Sequence, residues 1–378
     1  MAHTITSCHR LLDVVEYIED DPRVQVLFTV GPDVFSHGVP QYLERLGALV
    51  LPWEQAVRER FDLALAASYG GLHEVHAPLV VMPHGAGHGK PVSGRDDSTT
   101  TAQIPVAYGL DRQRLTRDGR VIAAAVVLSH DGELNVLRRQ CPEALEAAVI
   151  IGDPCFDRLV ASLPHRPHYR RALGVGEHQE LVVVSSTWGR TGLFGHWPDL
   201  LPTVMDQLPT DRFRVGALLH PAVWGAHGPR QIRAWLRDCC DAGLILLDQT
   251  EDWRSLVVAA DYLIGDHGSV TTYAATIGQR VLIQPAMATI VTRESPQAMV
   301  ATAAPRLDPR RDLVSQLRAT GALDQATITA RLTSQPGRAA TNLRRTMYHL
   351  LGLTEPSRHR RLEPVRVPRL SSGGHGYA

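Results

Sequence analysis

Short apolar runs alternate with amphipathic stretches along most of this chain, and each run stops at a polar or glycine-bearing loop. Residues 24–30, 48–52, 62–68, 78–83 and 121–128 form a first set of runs. Residues 181–184, 215–219, 244–247, 262–264 and 281–284 form a second. Helical spacing or composition falls between them, at 53–60, 193–208, 232–239, 253–259 and 270–277, with further helical pieces at 314–317, 328–332 and 341–351. Runs this short and continuously apolar predict strands buried on both faces, and intervals of roughly 25 residues leave room for a helical crossover. The pattern commits the chain to an α/β fold with doubly wound parallel sheets. It restarts after a Pro-, His- and Arg-rich stretch at 164–168, read as a linker. At 378 residues the chain exceeds one comfortable core. We expect two Rossmann-like domains facing a cleft, residues 1–163 and 164–335, followed by a C-terminal helix and basic flexible tail at 336–378.

One stretch has the clearest chemistry. Tyr262-Leu263-Ile264 is an apolar run closed by Gly265; Asp266-His267-Gly268-Ser269 forms a polar elbow; Val270, Ala274 and Ile277 then recur at helical spacing. Ser269 is the expected N-cap and Gly278 the expected stop. Strand, elbow and helix together point backbone N–H groups and a helix dipole at an anion. An ordinary β-to-α turn is the alternative.

Other strand ends carry candidate groups. The run at 78–83 leads into His84-Gly85-Ala86-Gly87-His88-Gly89-Lys90, placed where open α/β sheets hold ligands. His84 and His88 are four apart, but two glycines interrupt them and no H-E-x-x-H glutamate is present, which disfavours a zinc site. Lys90 precedes Pro91, so the loop is not a P-loop; a flexible surface loop is its bland reading. Residues 91–103 are polar and Thr/Ser-rich, expected to be a mobile loop over the cleft. Ser185 to Gly192 follows another strand, and His220-Pro221 ends the next.

Charge and cysteine usage narrow the class. Lys+Arg and Asp+Glu are 39 each, so no global field favours nucleic acid or an anionic membrane. The five cysteines are scattered, which suits free thiols in a reducing cytoplasm. No apolar run approaches the ~18–20 residues of a membrane span, and residues 1–10 have no apolar leader-like core. Arg358 to Arg361 and Ser371 to Gly374 are expected to be poorly ordered.

Four segments, spanning roughly residues 80–285, together resemble the CDP-glycerol glycerophosphotransferase family, the teichoic-acid polymerase and primase type, with a GT-B glycosyltransferase-like fold. His84-Gly85 with Lys90 is similar to its H-G…K loop. Gly152-Asp153-Pro154-Cys155-Phe156-Asp157-Arg158-Leu159 is similar to its G-x-P-R-x-D-x-L segment, with Cys155 where arginine is usual. Leu219-His220-Pro221 resembles its lHP strand end. Ala260 to Val270 resembles its aDvLITDYSSv motif, with His267-Gly268 replacing Tyr-Ser. The Asp-x-Gly-Ser version of the elbow also resembles UDP-GlcNAc 2-epimerases, which share the GT-B architecture.

The resemblance implies a transferase moving a glycerophosphoryl or glycosyl group from a CDP- or UDP-type donor to a hydroxyl acceptor, with no other cofactor and no metal. Ser269, Val270 and Thr271 would meet the diphosphate, with Ser186, Thr187, His267 and Gly268 beside them. His220 would donate to a phosphate oxygen, and Asp266 would orient His220, His267 or a ribose hydroxyl. Lys90 or Arg190 would add positive charge. His84 would be the general base, with His88 or Asp157 as substitutes; Gly85, His88, Lys90 and Asp157 would line the acceptor side. The partners are then a nucleotide donor and a hydroxyl acceptor; a homodimer stays open. Two alternatives stand. One is a nucleotide-sugar 2-epimerase or hydrolase using Asp33, Asp131 or Asp153 as proton shuttles. The other is a non-catalytic or repurposed nucleotide-binding protein.

Overall fold

A computed structural model describes residues 1–92, 106–285, 291–358 and 362–369. The expected loop over the cleft and the Ser371–Gly374 end lie outside these residues, apart from Pro91 and Val92, as do His359 to Arg361. The chain forms two compact units: Met1–Asp157 with Ala286–Ala303 and Asp324–Leu362, and Arg158–Pro285 with Ala304–Leu323 and Glu363–Ala378.

The first unit contains Phe28–Thr29 (β1), Val50–Leu51 (β2), Ala64–Ala66 (β3), Leu79–Val81 (β4), the hairpin Thr116–Arg117 (β5) with Arg120–Val121 (β6), Ala125–Leu128 (β7) and Ala148–Ile150 (β8). Its main sheet runs β3-β4-β7-β8, all parallel, and β1 pairs parallel with β2. Side-chain alternation explains why these runs are apolar throughout. Val80, Met82, Ala125 and Val127 join one core with Ile5, Leu11, Leu343 and Met347. Leu79, Val81, Val126 and Leu128 join another with Leu110, Leu115 and Leu137. Successive side chains go to opposite faces, so both faces require apolar residues.

The second unit contains Glu180–Ser186 (β9), Phe213–Leu219 (β10), Ile245–Leu246 (β11), Tyr262–Gly265 (β12) and Arg280–Ile283 (β13). They form one parallel sheet in the order β11-β10-β9-β12-β13. Val182, Val184, Val215, Tyr262 and Ile264 pack with Leu200, Val204 and Trp224. Their neighbours Leu181, Val183, Leu263 and Ile283 are equally buried.

Several local expectations change. Residues 5–15 form a helix, Ile5–Val15, whose buried face includes Ile5, Cys8, Leu11 and Val14. The run at 24–30 contributes only Phe28–Thr29 as strand. A further helix runs Val39–Arg45, and Leu46 at its end is exposed. The helix expected over 193–208 breaks at Trp197-Pro198 into Leu193–His196 and Leu200–Gln207, because proline supplies no N–H and constrains the residue before it. Within the helical stretch read at 232–239, Trp235 is half exposed while Leu236 is buried. Residues 164–168 run through a 3-10 turn into the helix Arg166–Ala172 rather than an irregular linker. Part of the basic tail is seated: Val365 N–H donates to Ser162 Oγ at 2.9 Å, and Tyr169 OH donates to the Val365 carbonyl at 2.6 Å. No helix among the described residues is long and apolar enough to cross a membrane.

Candidate active site

The strand order of the second unit reverses at β9: the chain steps outward through β10 and β11, then returns to β9's other side as β12. Open parallel sheets bind ligands outside the carboxyl ends of strands at such a switch point. Here β9 ends in Ser185-Ser186-Thr187 and β12 leads into Asp266-His267-Gly268-Ser269, the residues singled out from sequence.

Asp266 holds these two strand ends together. Its Oδ2 accepts from Thr187 N–H at 2.7 Å, Thr187 Oγ1 at 2.9 Å and Leu193 N–H at 2.8 Å. Its Oδ1 accepts from Gly268 N–H at 3.0 Å. The side chain is buried and accepts four bonds, three on Oδ2 and one on Oδ1. Through these bonds Asp266 braces the elbow. Ser186 accepts from Phe194 N–H and donates to Thr187 O, both at 2.8 Å. A side chain at Gly268 would put its Cβ 2.6 Å from Thr187 Cγ2, so only glycine allows this approach.

The elbow opens the helix Ser269–Thr276, with Gly268 rather than Ser269 as N-cap and Gly278 beyond its end at φ 82°. Gly268 supplies no side-chain cap, and no acidic residue occupies the first turn. Val270 and Thr271 N–H groups belong to the first turn, which has no intrahelical acceptor. Thr271 Oγ1 is buried without a hydrogen-bond partner among the described residues. His267, Ser269 and Val270 are half-buried, and His267 Nε2 lies 3.4 Å from Thr187 Oγ1. This edge can therefore meet an anion with backbone N–H groups and a positive dipole end.

His220 closes β10. Its N–H bonds the Ser186 carbonyl at 3.0 Å, tying it to the same edge. Its Nδ1 accepts from Ala222 N–H at 3.1 Å, capping the helix Pro221–His227. In the neutral ring this places the proton on Nε2, making that atom a donor.

In the first unit, residues 84–90 are tied down rather than loose. His84 Nδ1 donates to the Ala67 carbonyl at 2.9 Å. Arg10 Nη2 donates to the Gly85 carbonyl at 3.1 Å, and Gln297 Nε2 to the Ala86 carbonyl at 2.8 Å. Glu133 Oε1 accepts from His88 N–H at 3.0 Å and from His88 Nδ1 at 2.9 Å. Thr292 N–H donates to the Gly89 carbonyl at 2.9 Å. A Cβ at Gly89 would lie 2.1 Å from Gln297 Oε1.

His84 is exposed on one side, and its bond to Ala67 leaves Nε2 as the basic atom of the neutral ring. Surrounding protein disfavours the charged ring and lowers its pKa; Lys90 and Arg10 push the same way, against the Ala67 bond and Asp33. His88, by contrast, is buried on Glu133. Burial raises the Glu133 carboxyl, but the charge and bonds of His88 and the Ser129 N–H outweigh it and hold the group low. Among the described residues no cluster of three or more His, Cys, Asp or Glu side chains is arranged to hold a metal ion.

Asp157 sits elsewhere. It accepts from Gly337 N–H at 2.7 Å and Ala339 N–H at 3.0 Å, at the start of the helix Ala339–Leu350. Burial raises its pKa from 3.8 to about 6, the two N–H bonds opposing and Asp153 adding to the rise. The folded state then holds this proton more tightly than the unfolded chain. Its contribution to stability is accordingly greatest below pH 3.8 and falls as pH rises toward about 6, by about 3 kcal/mol at most. We predict that Asp157→Asn flattens this part of the stability–pH curve in urea unfolding; an unchanged slope would remove the assignment.

Arg10, Glu133 and Gln297 were not legible as site residues. Arg10 lies on the buried side of Ile5–Val15, near Asp153 at 3.6 Å. An arginine on an otherwise apolar helix face was the available signal. Glu133 begins the helix Glu133–Gln140, where an acid reads as an ordinary helix-start residue.

No family model matches the sequence, and no curated protein matches it. Solved structures do. The wall teichoic acid polymerase TagF aligns with a TM-score of 0.62 at 12% identity, covering 93% of this chain and 87% of that chain. MnaA from S. aureus, solved with UDP, aligns at 0.55 and 12% identity, covering 94% and 97%. UDP-GlcNAc 2-epimerase from Neisseria meningitidis, bound to UDP-GlcNAc, aligns at 0.50 and 11% identity, covering 92% and 97%. The architecture shared across these enzymes is that of the GT-B class, and the present chain has a GT-B glycosyltransferase-like fold resembling TagF.

Proposed function

We propose that this protein transfers a glycerophosphoryl or glycosyl group from a nucleotide-diphosphate-linked donor to a hydroxyl. The observation that carries the reading is the switch point of the second unit, where Asp266 fixes the Thr187 and Gly268 loops around the start of Ser269–Thr276. Val270 and Thr271 N–H groups and the Ser269 hydroxyl receive the diphosphate, and the His220 Nε2 proton meets charge developing on the leaving phosphate. His84 Nε2 takes the acceptor proton. The diphosphate charge is met by these groups with Arg190, without a required metal. The donor is of CDP or UDP type, a reading supported by the likeness to a TagF variant soaked with CDPG and to MnaA solved with UDP.

The epimerase alternative has weaker support in the side chains. Asp153 is buried, caps Phe156 N–H at 2.9 Å and faces Arg10, while Asp131 is largely exposed. A cytoplasmic setting belongs to the same proposal, supported by five free cysteines.

A thermal-shift series tests the donor site, because a ligand that binds only the folded state raises the melting temperature. CDP-glycerol, CDP, UDP and UDP-GlcNAc are compared with ADP and GDP. We expect a pyrimidine-selective rise, reduced in Ser269→Ala. No shift with any nucleotide would sink the donor assignment.

A further inference from the structure

The first unit has an open pocket of about 370 Å³ outside the carboxyl end of β3, lined by Asp33, Ser68, Tyr69, Tyr108, Arg114 and Arg117 among others. Volumes of roughly 300–1,000 Å³ suit small-molecule ligands. The lining is built rather than incidental. Arg114 stacks on the Tyr108 ring, 3.9 Å from its centroid, and its Nη1 bonds both Asp111 oxygens at 3.0 and 2.9 Å. Tyr69 packs edge-on against Tyr108 at 5.4 Å. Asp33 is fixed by Phe35 N–H at 2.9 Å and receives the Ser68 hydroxyl at 3.4 Å.

Arg114 and Arg117 bring positive charge to the lining, with Lys90 near Tyr108. Lys90 Nζ lies 5.8 Å from the Tyr108 ring, and its pKa is lowered by burial and then by Arg114, with Asp33 opposing. Ser68 and Asp33 bring neutral and acidic oxygens to the same lining. Ser68 directly follows Ala67, whose carbonyl holds His84.

We propose that this cavity is a subsite for a small hydroxylated anion, a phosphate monoester or carboxylate of a polyol or sugar. Arg114 and Arg117 meet its anionic end, Tyr69 and Tyr108 line its carbon skeleton, and Ser68 and Asp33 bind its hydroxyls. That such a compound is the acceptor rests on the transferase reading; that it binds here does not.

The test is calorimetric titration of the full chain, without nucleotide, using glycerol 3-phosphate, glycerate, inorganic phosphate and glycerol. We expect saturable binding of glycerol 3-phosphate or glycerate, whichever is tighter identifying the anionic end, and none of glycerol. Arg117→Ala should weaken binding about tenfold, the loss expected for one charge-assisted hydrogen bond, and Arg117→Lys should recover part of it. Arg117 is exposed on the β5–β6 hairpin, and unchanged circular dichroism would verify the variants' folding. No saturable binding of either polyol anion overturns the proposal. So does affinity unchanged in both Arg117→Ala and Tyr108→Ala, or inorganic phosphate binding as tightly as the polyol compounds. Intact anion binding without nucleotide-dependent transfer would count against the transferase reading and support the cavity.

Discussion

Replacing His84 by alanine is expected to reduce turnover by about 10²–10⁴-fold, the usual contribution of a positioned general base, with nucleotide binding retained. The expectation rests on its tautomer. Nδ1–H is committed to the Ala67 carbonyl, so Nε2 is left to take a proton. His84→Gln keeps the polarity but cannot accept the proton at neutral pH, and should be nearly as slow. The acid limb of the rate profile should lie below the ordinary histidine value of 6.5, because the protein surroundings, Lys90 and Arg10 disfavour the charged ring. Rate falls as pH drops through that lowered pKa, since only the neutral ring is a base. Lys90→Ala removes a positive neighbour and should move the limb upward. Steady-state kinetics with the donor identified by thermal shift would read both effects. Unchanged turnover in His84→Ala would remove the base role.

Asp266→Ala should be the most damaging change in the second unit. It leaves the N–H groups of Thr187, Leu193 and Gly268 and the Thr187 hydroxyl without their acceptor. Unsatisfied buried donors cost about 1–3 kcal/mol each, and partial rehydration brings the sum to about 4 kcal/mol. For a chain of this size that corresponds to a fall in melting temperature of roughly 5 °C. Asp266→Asn can keep its oxygen at the Oδ2 position and lose only the Gly268 bond, so its cost should be about 1–2 kcal/mol. Neither variant should retain full nucleotide-induced stabilisation, because the elbow supplies the anion-facing N–H groups. A scanning-calorimetry transition for Asp266→Ala within a degree or two of wild type would contradict the brace.

These expectations draw on different depths of information. The β12 elbow was legible because its chemistry is local: an apolar run, Gly265, then polar residues and a helix within one short segment. The cap was misassigned by one residue, since Asp266 serves Gly268 through a turn that no spacing rule predicts. The loop at 84–90 was legible as glycine-rich but not as rigid. Its partners Arg10, Glu133, Thr292 and Gln297 come from three separate parts of the chain. Asp157 matched a family motif, yet it holds the helix Ala339–Leu350, far along the sequence.

The sequence by itself determined the class of fold, because strands buried on both faces must be apolar at every position and must be joined by crossovers. It also determined which strand ends carry polar groups. Only the tertiary structure decided which of those ends are neighbours. Strand order β11-β10-β9-β12-β13 makes Thr187 and Asp266 adjacent, and hydrogen-bond partners from distant segments set the tautomers of His84 and the bracing of its loop. Sheet order and long-range polar pairing depend on how whole elements pack, and residue spacing along one chain does not encode them locally.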